Sequence, residues 1–323
     1  MILWTMKFRA RLTDGLSIRK FYQLIQTMAK LSKNACVFRL APDHFYLMAV
    51  GGMAPGGDVW VQGKPRDLFQ EYQMEGVTPT ENEIYLQLEP DALAKNLVAL
   101  KNTHSAQSVK LKLTKKRDSP CLSFDLELAP GNVAASGTCR QVTHDFPVVL
   151  IPRSQWTEFQ EPAIPPFQVS IYLPELKLVK SLVDRYKNMG KRMTMEANNQ
   201  GKLRFVLESD TLKVITHFAH CARPKFDESL NQSRFQALND ASRRVPPENE
   251  NANDEDDNDD DDDDQGEDFV SVRVDLKKLS LLLNGEQIGP HRVICNLVEE
   301  RMLHLFLIHD DVCLQYFVPA IHD

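Results

Sequence analysis

The sequence predicts an α+β protein of two domains in which one strand–helix–three-strand unit occurs four times, with the helices on one face of antiparallel sheets. Three observations carry that expectation. Short runs of alternating or apolar residues recur in sets, one stretch of helical spacing falls inside each set, and a proline-dense segment divides the chain after the second set. With 323 residues there is room for two hydrophobic cores of ordinary size.

The first unit opens with the alternating run Met6–Leu12. Ser17–Ser32 then carries Ile18, Phe21, Tyr22, Ile25, Met28 and Ala29 at helical spacing, with Ser17 placed to cap it. Strands are expected at Ala35–Leu40, Phe45–Val50 and Asp58–Val61, and Leu68–Met74 is ambiguous. The second unit reads as a strand at Glu83–Leu88, a helix at Pro90–Lys101, and strands at Val109–Leu113, Cys121–Leu128 and Gly137–Thr143.

The third has a strand at Val169–Leu173, a helix at Glu175–Met189, and strands at Met193–Ala197, Lys202–Glu208 and Leu212–Phe218. The turn Asn199–Gly201 is of hairpin type. The fourth reads as a strand at Val270–Leu276, a helix near Lys277–Leu283, and strands at Arg292–Val298, Met302–Ile308 and Cys313–Val318.

Two segments interrupt the rhythm. Prolines 147, 152, 162, 165 and 166 fall within twenty residues or so, which predicts an extended linker because proline fixes φ and removes a donor. The expected organisation is an N-terminal domain over 1–146, a connector over 147–167 and a C-terminal domain over 168–323. Residues 223–268 are too long for an ordinary loop and end in an acidic run, so they are expected to be a disordered surface insertion.

Composition narrows the function classes. No apolar run approaches the ~18 residues of a membrane span. The opening MILWT lacks the basic flank and cleavage site of a secretory signal. Cysteines 36, 121, 139, 221, 295 and 313 have no metal-type spacing and lie mostly in apolar runs, as expected of reduced, buried thiols in an intracellular protein. Net charge is −7, but residues 248–268 alone hold fourteen Asp and Glu with no Lys or Arg, leaving +7 for the rest. A basic body is the electrostatic signature of a polyanion partner.

That charge is unevenly placed. The first helix turns Arg19, Lys20, Gln23, Thr27 and Lys30 away from its apolar side, with no acid between Ser17 and Lys33. The third packs through Leu176, Val179, Leu182, Val183 and Tyr186 and leaves Lys177, Lys180, Arg185, Lys187 and Lys191 largely towards solvent, against Asp184 alone. The second and fourth read as near charge balance. Such a face is either simply solvated or neutralises phosphates and releases counterions. No aromatics interleave with the lysines, so stacking on single-stranded bases is not indicated.

Sites for chemistry are sparse. The chain contains no phosphate-binding glycine loop, nucleophile elbow or zinc-protease motif. His217 and Cys221 would share one side of a strand and His220 the other, so these cannot converge on a metal without a bend. His144 and Asp145 have no evident nucleophile. No catalysis, metal or cofactor is expected.

The runs EYQMEGV (71–77), NEIYLQL (82–88), PCLSF (120–124), VTHDFPVVLIP (142–152), VSIYLP (169–174), ITHF (215–218) and LQYFVPA (314–320) resemble, in order and spacing, the Hus subunit of the nine-one-one checkpoint clamp. The resemblance spans nearly the whole chain except the extreme N-terminus and the 223–268 insertion. It implies the eukaryotic sliding-clamp (DNA clamp) fold and a non-catalytic subunit of a DNA-encircling ring with two other clamp subunits. An ATP-driven clamp loader would place that ring on double-stranded DNA, without sequence specificity, at damaged sites. The ring would promote checkpoint kinase signalling and hold repair enzymes and checkpoint factors, in the nucleus with a cytoplasmic pool and away from membranes.

By the same resemblance Arg19, Lys20, Lys30, Lys177, Lys180, Arg185 and Lys191 would face DNA. A pocket for partner peptides would be formed by Val149, Ile151 and Pro152 with Tyr316, Val318 and Pro319. The acidic insertion is where the chain departs from the family. Rival readings are a homotrimeric replication-type clamp and an acidic scaffold for histones or other basic proteins, which would explain the Asp run but not the four units.

Overall fold

A computed structural model describes residues 6–32, 34–102, 106–129, 140–162, 165–209, 211–224, 268–309 and 312–322. MILWT (1–5), the start of the strand expected at Gly137, Cys139, and residues 225–267 of the acidic insertion lie outside them. The chain forms two compact units. One comprises Met1–Ile164, Lys277–Pro290 and His309–Val318, the other Pro165–Leu276, His291–Ile308 and Pro319–Asp323.

The elements follow the expected order. The first set is β1 (Lys7–Leu12), α1 (Gly15–Leu31), β2 (Cys36–Leu40), β3 (Phe45–Ala49) and β4 (Asp58–Gly63). The ambiguous stretch resolves into a single helical turn, α2 (Pro65–Leu68), and an edge strand, β5 (Glu71–Glu75). Then come β6 (Ile84–Leu88), α3 (Pro90–Asn96), β7 (Ala106–Lys116), β8 (Ser119–Leu128) and β9 (Arg140–Pro147). Past β10 (Val149–Leu150) the third set is β11 (Val169–Tyr172), α4 (Leu176–Tyr186), β12 (Arg192–Ala197), β13 (Leu203–Glu208) and β14 (Lys213–Phe218). The fourth is β15 (Val270–Asp275), α5 (Leu276–Leu282), β16 (Arg292–Val298), β17 (Met302–Ile308) and β18 (Val312–Pro319).

Local chemistry explains where boundaries moved. Asp14, not Ser17, caps α1: its carboxylate accepts the Ser17 backbone N–H at 2.8 Å and the Ser17 hydroxyl at 3.0 Å. Ser17 is therefore inside the first turn, donating to the cap. Leu97 leaves helical geometry (ψ 17°), so the long helix expected at Pro90–Lys101 becomes α3 followed by a 3-10 turn over Val98–Lys101. β7 and β8 extend further than expected because a two-residue turn with Arg117 (φ 48°) and Asp118 (φ 65°) joins them directly. Without glycine that turn leaves no sequence signal, and Lys115 closes it by an ion pair to Asp118 at 2.5 Å. The hairpin turn after β12 does use glycine: Gly201 sits at φ 87°, and a Cβ there would stand 2.5 Å from the Cys221 carbonyl oxygen.

In the first unit, the described strands form one sheet in the order β5-β1-β7-β8-β9 and a second in the order β10-β6-β2-β3-β4-β18. Aromatic rings join these sheets to α1. Phe8 meets Phe38 at 6.3 Å, Phe45 meets Phe69 at 5.6 Å, and Phe21 of α1 reaches both Phe69 (5.9 Å) and Phe124 (6.3 Å). Gly63 is required where β4 passes this core, since a Cβ there would collide with the Phe45 ring. In the second unit β14-β13-β12-β15 form one sheet, and β11, β16 and β17 pair in order. A buried Asn296–His304 side-chain hydrogen bond (2.9 Å) and Phe167, stacked on His304 at 5.5 Å, hold the latter.

The proline-dense segment is more structured than the extended linker expected from its composition. Prolines 147 and 152 bracket β10, which pairs with β6 (Val149↔Gln87, Leu150↔Leu86). The proline-free stretch after them winds into a 3-10 helix over Arg153–Phe159 with Pro152 as its N-cap residue. Proline's fixed φ suits both roles.

Replacing Asp14 with Ala should cost about 1 kcal/mol in a denaturant titration, while Asp14→Ser keeps most of it. The cap carboxyl is held below its ordinary value, chiefly by the Ser17 N–H. Its folded pKa is thus the lower one, so the stabilisation is complete above the ordinary carboxylate range and is lost as pH falls through the folded value. The gap between wild type and Asp14→Ala should accordingly close in acid.

Candidate nucleic-acid interface and connector face

The basic helix faces form as helical periodicity requires. On α1, Ile18, Phe21, Tyr22, Ile25, Met28 and Ala29 are buried, Arg19 is exposed, and Lys20 and Lys30 are half-buried at the margin. Thr27 departs from the expected solvent side: it is buried, because it lies between Leu24 and Met28, which face the core too. On α4, Leu176, Val179, Val183 and Tyr186 are buried, leaving Lys177 and Arg185 exposed and Lys180 half-buried. Leu182 is only half-buried. Lys191 lies beyond the helix, exposed, with its carbonyl accepting the Leu276 N–H at 3.0 Å. Lys187 bonds Asp184 at 3.0 Å, so its charge is partly neutralised within the helix.

One basic pair was not anticipated. The fourth helix is not near charge balance, because Asp275 ends β15 and α5 carries exposed Lys277 and Lys278 with no acid of its own. The segment Leu283–Ile288, which continues α5, packs against α1 in the first unit.

The connector lies over the face of the β6-β2-β3-β4-β18 sheet that points away from the aromatic core. Ile151 donates its N–H to the Tyr85 carbonyl at 3.0 Å, and Trp156 stacks on the Tyr85 ring at 4.6 Å and 23°. Trp156 Nε1 donates to the Ile151 carbonyl at 3.1 Å, Arg153 ion-pairs with Glu81, and Gln315 Nε2 donates to Glu161 Oε1 at 2.7 Å. Beneath, Arg39 donates to both Glu83 oxygens (2.7 and 3.1 Å) and lies over the rings of Tyr46 (4.7 Å) and Tyr85 (5.3 Å). Burial drives the Tyr85 hydroxyl well above its ordinary pKa, so it stays protonated.

The six residues expected around a peptide pocket separate. Val149 (60% exposed) and Pro152 are at the surface of the connector and Ile151 is buried under it. Tyr316 (0% exposed) and Val318 are buried on the opposite side of β18 from the connector. The residue bonded to the connector is Gln315, and side chains alternate along a strand, so Cys313, Gln315 and Phe317 share its face while Leu314, Tyr316 and Val318 face the core. Pro319 is exposed and belongs to the second unit.

His144 and Asp145 split in the same way. Asp145 takes a 2.5 Å hydrogen bond from Ser123 and an ion pair from Lys116 at 3.1 Å, while His144 stacks on Phe146. Among the described residues no group of three His, Cys, Asp or Glu could hold a metal ion.

The Hus1-like protein model matches residues 6–322. The chain belongs to the Hus1-like family. It is 36% identical over 318 residues to the human protein named Checkpoint protein HUS1, covering 98% of this chain and all of that protein. Checkpoint protein hus1 of fission yeast is 26% identical over 290 residues, 90% of this chain and 88% of the relative. Among solved structures, the Proliferating Cellular Nuclear Antigen of Entamoeba histolytica superposes with a TM-score of 0.64 at 12% identity, covering 98% of this chain and 99% of that one. PCNA of Thermococcus kodakaraensis gives 0.59 at 16% identity, covering 97% and 100%. The α+β fold of this Hus1-like chain is therefore that of the sliding clamps.

The Tyr316 hydroxyl, buried without a hydrogen-bond partner among the described residues, yields a sharp expectation for the C-terminal strand. Tyr316→Phe should leave stability unchanged or raise it by up to about 1 kcal/mol in urea, since an unsatisfied buried hydroxyl is removed.

Proposed function

We propose that this chain is one subunit of a heterotrimeric checkpoint ring that encircles double-stranded DNA, carries no catalytic centre, and holds client proteins along its connector. An ATP-driven loader places the ring at damage, where it promotes checkpoint kinase signalling and recruits repair enzymes in the nucleus. In this reading the clamp domains are 1–146 and 168–323, joined by 147–167.

One observation carries ring formation beyond family membership. Each unit has a sheet whose edge is open among the described residues, β9 in the first and β14 in the second. Open edges are templates for pairing with another chain. Their chemistries differ. β9 exposes Arg140, Gln141, Thr143 and Asp145, whereas β14 exposes Ile215 (40%) between Lys213 and His217, with Leu212 (41%) just before it. Ile215 and Leu212 laid on Arg140 would desolvate its charge without supplying a partner. That mismatch favours two unlike partners over a ring of identical copies, and so the checkpoint type over a homotrimeric replication clamp.

Alone, the chain should scatter light as a monomer, and Ile215→Lys should abolish capture of one ring partner while sparing the other. Trimerisation of the isolated chain would overturn the heterotypic reading. In the assembled ring, replacing Arg19, Lys20 and Lys30 with Ala should weaken duplex binding equally for all sequences. It should also flatten the plot of log affinity against log salt by about 0.9 for each phosphate that is no longer neutralised. An unchanged slope would remove α1 from the interface.

A further inference from the structure

We propose that the connector occupies its own client site: Trp156 and Phe159 sit on the aromatic face where a bound peptide's aromatic anchor belongs, so a client enters by lifting the Arg153–Phe159 turn. This rests on the reading of the connector face as the client site and adds how that site is regulated.

The contacts are those of a seated aromatic ligand. Trp156 lies flat on Tyr85, Phe159 approaches the same ring at 6.5 Å, and Tyr85 and Phe159 are both buried. An aromatic pair of this geometry gains by stacking as well as by area removed from water. Among the described residues the Trp156 side chain makes no polar bond to the sheet. Its indole N–H is satisfied by Ile151 within the connector, so the turn can lift without breaking that bond.

The remaining attachments are few and of the weak kind. Arg153, paired to Glu81, is largely exposed, and such ion pairs contribute little. Gln160 reaches the Tyr85 hydroxyl only at 3.5 Å. The firmest clasp is Gln315 to Glu161. Beside it, in register with Gln315, Trp60 is 1% exposed and its Nε1–H has no acceptor among the described residues. A buried donor left unmatched in the closed arrangement would be satisfied by a backbone carbonyl of an entering peptide. Closed and open arrangements would then be balanced finely enough for a client to shift them.

The test uses the full chain and a fluorescein-labelled, extended peptide carrying one central Trp between leucines, with binding followed by anisotropy. Trp156→Ala empties the aromatic seat, and Gln315→Ala releases the clasp while leaving Trp156 in place. If the closed form holds about nine molecules in ten, each variant should bind the peptide up to about tenfold tighter than wild type. Free indole should restore the thermal stability lost by Trp156→Ala and compete with the peptide there. Wild type and both variants binding equally, or the variants more weakly, would overturn self-occupancy and leave the client site standing. No binding by any of the three would overturn the client site itself, and self-occupancy with it.

Discussion

The architecture of the first unit depends on one long-range pairing, that of β18 with β4. It brings residues near the end of the chain against a strand near its beginning, with Val312 opposite Gly63 and Phe317 opposite Asp58. Closing so long a loop carries an entropic cost that only extensive contact can offset. Here the whole of β18 up to Val318 is buried. The register of that pairing also decides which side chains meet the connector. It directs Gln315 to the connector and Tyr316 to the core, and a slip of one residue would exchange them.

That exchange marks where sequence reasoning ends. The four-unit plan was legible because its signals are periodic: the apolar stripe of α1 and the alternation in β12 and β13 have one buried face each. β16 and β17 were legible as whole elements, with the bounds expected of them. In β18 every residue from Val312 to Val318 is buried, so alternation vanishes and the sequence shows a strand without showing its two faces. The lone glutamine in that apolar run was the available clue, since a buried amide needs a partner. The connector's 3-10 turn was hidden for another reason: prolines at its ends dominate the composition, while the Arg153–Phe159 stretch between them has no strong period.

The same limit appears in the charges. Sequence spacing placed α1 and α4 correctly as basic, but it included Thr27 on the wrong side and passed over Lys277 and Lys278. Both errors come from helix phase. A stripe spans more than 100° of a surface helix, so a residue at its margin is assigned by its neighbours rather than its polarity. For α5 the helix start mattered, because Asp275 ends the preceding strand and the helix itself carries Lys277 and Lys278.

Arg39 shows why a charge is retained under the connector. Burial alone would disfavour its ionised form, yet hydrogen bonds to Glu83 outweigh that and raise its pKa. A well-packed apolar pair could be as stabilising as this half-buried ion pair. An apolar pair would not, however, fix direction. The planar guanidinium, held in two hydrogen bonds by Glu83 and lying over both tyrosine rings, sets the plane of Tyr85. That plane is the surface on which Trp156 stacks. Orientation, more than stability, is what the charged pair contributes, and any aromatic group seated on Tyr85 depends on it.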